Sequence, residues 1–335
     1  NIKNNVSKLK LSCEFIKFTT GKYPTNANGI IISTTLMYST PLIFAALGGV
    51  FSENSGIVNI GIEGMMTIGA FAGAAAGYML GNPWLAFIIG GLAGGLFALV
   101  HALATVTFNA DHTISGVAIN LLAPGVALFA SKIMFDGATM TPTIPMEQKI
   151  PRPLNGLFPS GSILDTIFNA YATVFIAFIL VAVTWYVLYK TKFGLRIRAV
   201  GEHPGAADTL GISVAKTRYA AVIISGILAG LGGASMSLAV VSSFRPTLIS
   251  GHGYIAMAAV IFGKWRPQWA MAACLLFGFS TALSVYFGNP ELPFSINENL
   301  LSMIPYIMTL IVLVLFVKSS KAPAALGNPY KKGER

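Results

Sequence analysis

Residues 83–107 read PWLAFIIGGLAGGLFALVHALATVT, a run of twenty-five positions without Asp, Glu, Lys or Arg. A hydrocarbon layer of about 30 Å needs roughly 17–25 apolar residues at about 1.5 Å rise per residue, so this stretch reads as one membrane-crossing helix. Gly90, Gly91, Gly94 and Gly95 form two overlapping G-x-x-x-G pairs within it. Small residues let helix backbones approach closely in lipid, where packing replaces the hydrophobic drive, and the helix is expected to be tightly packed against neighbours.

Eight more apolar stretches flank it: 29–51, 61–80, 113–135, 170–189, 219–241, 253–263, 267–287 and 302–317. The stretch 253–263 is too short to span alone, and 302–317 reaches spanning length only if extended back through Leu300. Among the charged residues, only Glu63 and Lys132 fall inside these stretches. Charged residues make up 10% of the 335-residue chain, against about 25% in an average soluble domain. A soluble enzyme and a nucleic-acid binder are both excluded on that ground. The expected fold is an all-α polytopic membrane protein with about 8–10 transmembrane helices.

The net charge of +10 sits mostly in the tails and one loop, where it suits anionic lipid headgroups or an acidic protein partner. Loop 190–218 carries Lys190, Lys192, Arg196, Arg198, Lys216 and Arg218, and the tail 319–335 carries Lys321, Lys331, Lys332 and Arg335. Both are expected on the cytoplasmic side, since Lys and Arg bias sets orientation. Loop 288–301 has Glu291 and Glu298 and no base, and reads as external. Nine passes then place Gly29 outside. The basic tail 1–28 conflicts with that parity: either it lies outside, or one segment between 52 and 135 re-enters without crossing. Between the tails, residues 29–318 form the transmembrane domain, with an external loop at 136–169. That loop combines five prolines with apolar residues such as Ile144 and Ile150, and reads as an ordered lid or a plain packed connector.

The two halves resemble each other weakly. Leu47-Gly48-Gly49, a polar interruption at Ser52–Ser55, and Gly61-Ile62-Glu63-Gly64 correspond to Leu231-Gly232-Gly233, an interruption at 242–246, and Gly251-His252-Gly253-Tyr254. Starting on opposite sides, they would form an inverted repeat, and paired interrupted segments are the sequence pointer to a transport site.

Glu63 is the one acid well inside an apolar stretch, which suggests either a polar contact on a pathway or a charge in a first helical turn, where the dipole favours it. Asn59 would share its face if the helix is continuous there. Asp111 suits an N-cap for the next helix, followed by His112, Ser115 and Asn120. His101, His112, His203 and His252 have no ligand spacing, and Cys13 and Cys274 are far apart, so neither a metal site nor a disulfide is expected. Between Arg196 and Gly211 the chain reads Arg196, Arg198, Gly201, Glu202, His203, Pro204, Gly205, Ala206, Ala207, Asp208, Gly211 at its informative positions. Pro204 fits a first turn and Gly211 a C-terminal cap, which gives a short docking helix for a cytoplasmic partner. No G-x-x-x-x-G-K-[ST] occurs, so the chain has no P-loop and ATP would act on another subunit.

The run Pro41–Met65, with Phe51-Ser52-Glu53-Asn54-Ser55-Gly56 and Gly61-Ile62-Glu63-Gly64-Met65, resembles permease subunits of bacterial ABC importers in the branched-chain amino acid, ribose and nucleoside superfamily. Asp111–Asn120, loop 193–212 and Gly251–Trp265 are similar to its nucleoside branch. The resemblance implies a type II importer-like permease in the bacterial plasma membrane that pairs with a homologous second permease. It also implies a cytoplasmic ATPase using ATP and Mg, a lipoprotein or other extracellular substrate-binding protein, and loop 193–212 as the coupling helix. Neutral nucleosides would be met by Asn59, Glu63, Ser115, Asn120 and Phe244, with no cofactor held by this chain and no nucleic acid. The remaining alternatives are a permease for a sugar or branched-chain amino acid, an ion-coupled secondary transporter, and a membrane scaffold.

Overall fold

The computed structural model describes residues 27–159, 162–288, 298–316 and 321–332; the tail 1–26 lies outside the described residues. It is built from helices α1 (Ala27–Asn54), α2 (Ile62–Leu80), α3 (Pro83–Ala102), α4 (His112–Met134), α5 (Ile163–Phe168), α6 (Ala172–Lys190), α7 (Lys192–Glu202), α8 (Pro204–Thr209), α9 (Val214–Ser235), α10 (His252–Phe262), α11 (Pro267–Phe287) and α12 (Glu298–Phe316). α3 continues through a π-helical turn to Thr107, and α9 through another to Val241. Among the described residues, six helices are long and apolar enough to cross a membrane: α1, α3, α4, α6, α9 and α11. α2 and α12, at 19 residues each, extend about 28 Å and match the same layer.

Local chemistry sets the boundaries. α2 ends at Gly81, whose φ of 66° closes the last turn. Asn82 then caps α3 by accepting from the backbone N–H groups of Trp84 and Leu85, with Pro83 in the first turn. The expected cap at Asp111 is present: its Oδ1 accepts from Thr113 and Ile114 at 2.8 and 2.9 Å. These accepted bonds hold the Asp111 carboxyl below the ordinary carboxylate range, the bond from Ile114 contributing most.

α9 lies at the centre, packed on α1, α2 and α3. Its glycines allow that approach: a methyl group at Gly233 would overlap the carbonyl oxygen of Met66, and one at Gly94 would meet Gly230 Cα at 2.7 Å. The expected tight packing of 83–107 is therefore backbone against backbone, with van der Waals contact as the cohesive force. α4 is different, since Ile114, Leu121, Phe129 and Ile133 are exposed along its outer face.

The helix ends define two poles. Gly29 lies beside Thr166 of α5 and Gly77 beside Ile144, which marks the pole of segment 136–169. Asn54, Gly201, Arg218 and Trp265 converge at the other pole with residues 325–328. α1 and α9 therefore run in opposite directions, and each is followed by a non-helical break and a new helix, α2 or α10. At eleven residues, α10 covers only part of the bundle's depth, and segment 242–251 covers the rest.

Candidate functional site

The first break, 55–61, opens with a turn at Gly56, whose φ is 92°. Because it interrupts the helix, Asn59 and Glu63 do not lie on one continuous helical face, and Glu63 instead takes the alternative place, a charge in a first helical turn. Non-helical backbone inside a bilayer persists only where protein satisfies its polar groups, and two histidines do so here. His101 Nε2 lies 3.2 Å from the Val58 carbonyl, and the Val58 N–H points to His112 Nδ1 at 3.4 Å. His101 Nδ1 is 2.9 Å from Ser115 Oγ. A neutral ring donating from Nε2 and accepting the Ser115 hydroxyl at Nδ1 satisfies all three groups.

The second break, 242–251, is held from the pole of segment 136–169. Ile144 N–H donates to the Ser242 carbonyl at 2.8 Å, Thr141 N–H to the Phe244 carbonyl, and Phe244 N–H to Thr141 Oγ1. The apolar residues of that segment explain its order, since Ile144 and Ile150 are fully buried.

Glu63 joins the two breaks. It sits in the first turn of α2, and its Oε1 and Oε2 accept from Gly251 N–H at 2.6 Å and Gly253 N–H at 2.7 Å. The carboxylate thus lies at two helix N-termini at once, where unsatisfied N–H groups and both dipoles favour negative charge. Gly253 is required for this approach, since a methyl group there would stand 2.6 Å from Glu63 Cα.

Asn120 of α4 closes the assembly. Its Oδ1 accepts from Gly64 N–H at 2.8 Å, while Nδ2 donates to the Ile60 carbonyl and to Tyr254 Oη, each at 2.9 Å. The Tyr254 ring is about half exposed. Asn59 is fully buried and donates to Ser225 Oγ at 2.9 Å, leaving its Oδ1 without a protein partner. Phe244 is also enclosed, edge-on to Phe71 with centroids 5.4 Å apart. The structure therefore brings Glu63 and Asn120 together at the junction of the breaks, with Ser115 and Asn59 in the packing behind it and Phe244 in the core.

Loop 190–218 is more helical than its cap signals implied. The short helix appears as α8, with Pro204 in its first turn and Gly211 at φ 77° beyond it. The preceding basic strip is itself a helix, α7, whose buried positions Gly194, Ile197, Val200 and Gly201 recur at helical spacing. That periodicity was available in the sequence. Arg196, Glu202, His203, Gly205 and Ala206 are exposed, whereas Ala207 packs with Val200 and Val214. Arg198 is engaged internally, stacked on Tyr189 at 4.9 Å and donating to the Leu188 carbonyl. Asp208 stands 4.0 Å from Lys332.

Two buried ionisable side chains have no local signal as functional groups. Glu53, at the end of α1, accepts from Trp265 Nε1 at 2.5 Å. Arg218, 2% exposed, donates from Nε to the Ser55 carbonyl and from Nη1 to the Asn328 carbonyl. The basic tail is not wholly committed to outside partners, because residues 321–332 include a stretch folded back on the bundle through these bonds.

The sequence profile described as branched-chain amino acid transport system, permease component, matches residues 31–313. The chain is 46% identical to the guanosine ABC transporter permease protein NupQ of Bacillus subtilis, over 91% of this chain and 98% of that one. It is 43% identical to the nucleoside ABC transporter permease protein NupC of Lactococcus lactis, over 92% and 99%. The putative glucose ABC transporter permease protein TsgC13 of Haloferax volcanii is 34% identical over 90% and 97%. No solved structure matches.

Proposed function

Since the chain belongs to the family of branched-chain amino acid transport system permease components, we propose that its helix bundle carries nucleosides inward across the membrane. It is the permease subunit of an ABC importer, a multi-pass component of the bacterial plasma membrane, and ATP hydrolysis lies in a separate subunit. The family implies an ATPase and a substrate-binding component as partners. The reading extends this to a homologous second permease and an extracellular lipoprotein. ATP and Mg act on the ATPase, and no cofactor is held by this chain.

The pole of α7 and α8 is assigned to the cytoplasm by its basic residues, and the pole of segment 136–169 to the outside. The exposed residues Glu202, His203, Gly205, Ala206 and Leu210 are then the surface on which the ATPase docks. Substrate passes along the face shared by α4 and α10, where Asn120 and the half-exposed ring of Tyr254 adjoin the breaks. A neutral nucleoside needs hydrogen-bonding groups and an aromatic face more than fixed charge. Glu63 organises this junction with both carboxylate oxygens occupied by backbone donors.

The observation that carries the substrate class is the 46% and 43% identity to permeases named for guanosine and nucleosides. The relative named for glucose favours a sugar as the second reading. Uptake of labelled guanosine, competed with uridine, ribose, glucose and leucine, decides between them. Competition by uridine alone is expected, and competition by glucose or leucine alone refutes the proposal.

A further inference from the structure

We propose that residues 323–330 form a transmission strap that ties the α7–α8 segment to the first break, with Arg218 as its positioning residue. The proposal rests on the reading of α8 as the ATPase-docking helix. The strap holds its own shape through a turn, with Leu326 N–H donating to the Pro323 carbonyl and Gly327 at φ 80°. On one side, Ala325 N–H donates to the Gly201 carbonyl at 2.9 Å, at the end of α7, and Tyr330 packs on Val200, Ala207 and Val214. On the other, Gly327 N–H donates to the Gly56 carbonyl at 3.0 Å, inside the break.

Arg218 lies where the two sides meet. Its guanidinium donates to Ser55 of the break at 3.3 Å and to Asn328 of the strap at 3.2 Å. Both bonds end on backbone carbonyls, so this buried cation reads backbone position rather than countercharge. The fit leaves little slack: a methyl group at Gly56 would stand 2.9 Å from Arg218 Nη2 and 3.1 Å from the Ala325 carbonyl oxygen.

A movement of α8 has a bonded route inward. It runs from Gly201 through Ala325 and Gly327 to Gly56, and six residues beyond Gly56 lies Ile62, the start of α2, followed by Glu63, which carries the N-terminus of α10. Two open surface clefts flank the strap. One of about 280 Å³ is lined by Asp208, Arg218, Tyr330 and Lys332, and one of about 380 Å³ by Asn54, Glu202 and Pro323. α7 also lies directly against α1 and the break, Gly201 facing Asn54 and Gly56, so the strap acts in parallel with a second contact that keeps α7 attached when the strap is cut.

The test uses the complete transporter in proteoliposomes, with labelled guanosine and its binding protein, measuring guanosine moved per ATP hydrolysed. Gly327→Pro removes the N–H to Gly56 and excludes the positive φ, and Arg218→Gln removes the guanidinium. Both are expected to keep ATP hydrolysis within about twofold while guanosine per ATP falls about tenfold or more, the scale of a site-to-site coupling. Arg218→Lys, which keeps one donor, is expected to recover part of the ratio. An unchanged ratio in both variants, or uptake and hydrolysis falling in proportion, overturns the proposal. Gly205→Arg isolates the docking reading, because nothing lies within 4 Å of a methyl group there. Unimpaired uptake in that variant removes the docking assignment. Impaired uptake there, with normal coupling in Gly327→Pro and Arg218→Gln, overturns the strap alone.

Discussion

Replacing Glu63 with Gln leaves size and shape nearly unchanged and removes one acceptor. In the native site both oxygens accept from backbone donors, Gly251 at 2.6 Å and Gly253 at 2.7 Å. A glutamine keeps one of these bonds as a neutral interaction and turns its amide nitrogen toward the other N–H. Hydrogen bonds to charged groups contribute about 1.5–3 kcal/mol, and an orphaned buried donor costs about 1–3 kcal/mol. The net loss is therefore about 2–4 kcal/mol, or roughly thirtyfold to several hundredfold in the attachment of α10 at about 1.4 kcal/mol per decade. For the solubilised permease this predicts a fall in Tm of about 5–10 °C, scaled from soluble domains. The assay pairs thermal unfolding with guanosine uptake in cells lacking their own nucleoside transporters. Both are expected to fall, while Glu147→Gln on an exposed turn changes neither. An unchanged Tm with abolished uptake would mean that the carboxylate meets substrate rather than holding α10. Unchanged Tm and uptake together would refute the account of the junction.

Gly233→Ala places a methyl group into the Met66 carbonyl and should cost about 1–3 kcal/mol as overpacking; Gly125→Ala, with nothing within 4 Å, should be neutral or slightly stabilising in the same melting assay. Asn120→Leu strands the Gly64 N–H and Ile60 carbonyl and frees Tyr254, so Tm should drop by an amount equivalent to about 2–3 kcal/mol, with uptake reduced; wild-type values for both would show that α4 does not hold the break. Asp111 has its folded pKa lowered, chiefly by the Ile114 bond, so its stabilisation is present above the unfolded carboxylate pKa and is lost as pH falls through the lowered folded value. Asp111→Asn keeps the cap and should flatten the acid limb of stability against pH; an identical limb would locate that dependence elsewhere.

The legible parts of the fold are those set by runs of adjacent residues. The stretch 83–107 predicts α3 with its π-helical extension to Thr107, and the Asp111 and Pro204 signals mark the starts of α4 and α8. Segment 253–263 reads as too short to span, and α10 is an eleven-residue helix completed by irregular chain. The polar interruption at Ser52–Ser55 marks the break that ends α1, and Glu63 falls in the first turn of α2, so the continuous helix on which a shared face with Asn59 depends is absent. α7 went unread because its basic residues masked the helical spacing of Gly194, Ile197 and Gly201.

The sequence by itself determined that this chain crosses a membrane many times, because hydrocarbon thickness imposes a length on apolar runs that adjacent residues reveal directly. Its interruptions also located the segments that meet. Only the tertiary structure decided what those segments do to one another. Glu63 reaches donors 188 and 190 positions away, and Arg218 reaches a carbonyl 110 positions away. Such bonds satisfy backbone groups exposed by breaks in helices, and their partners follow from how distant helices pack rather than from residue type or spacing.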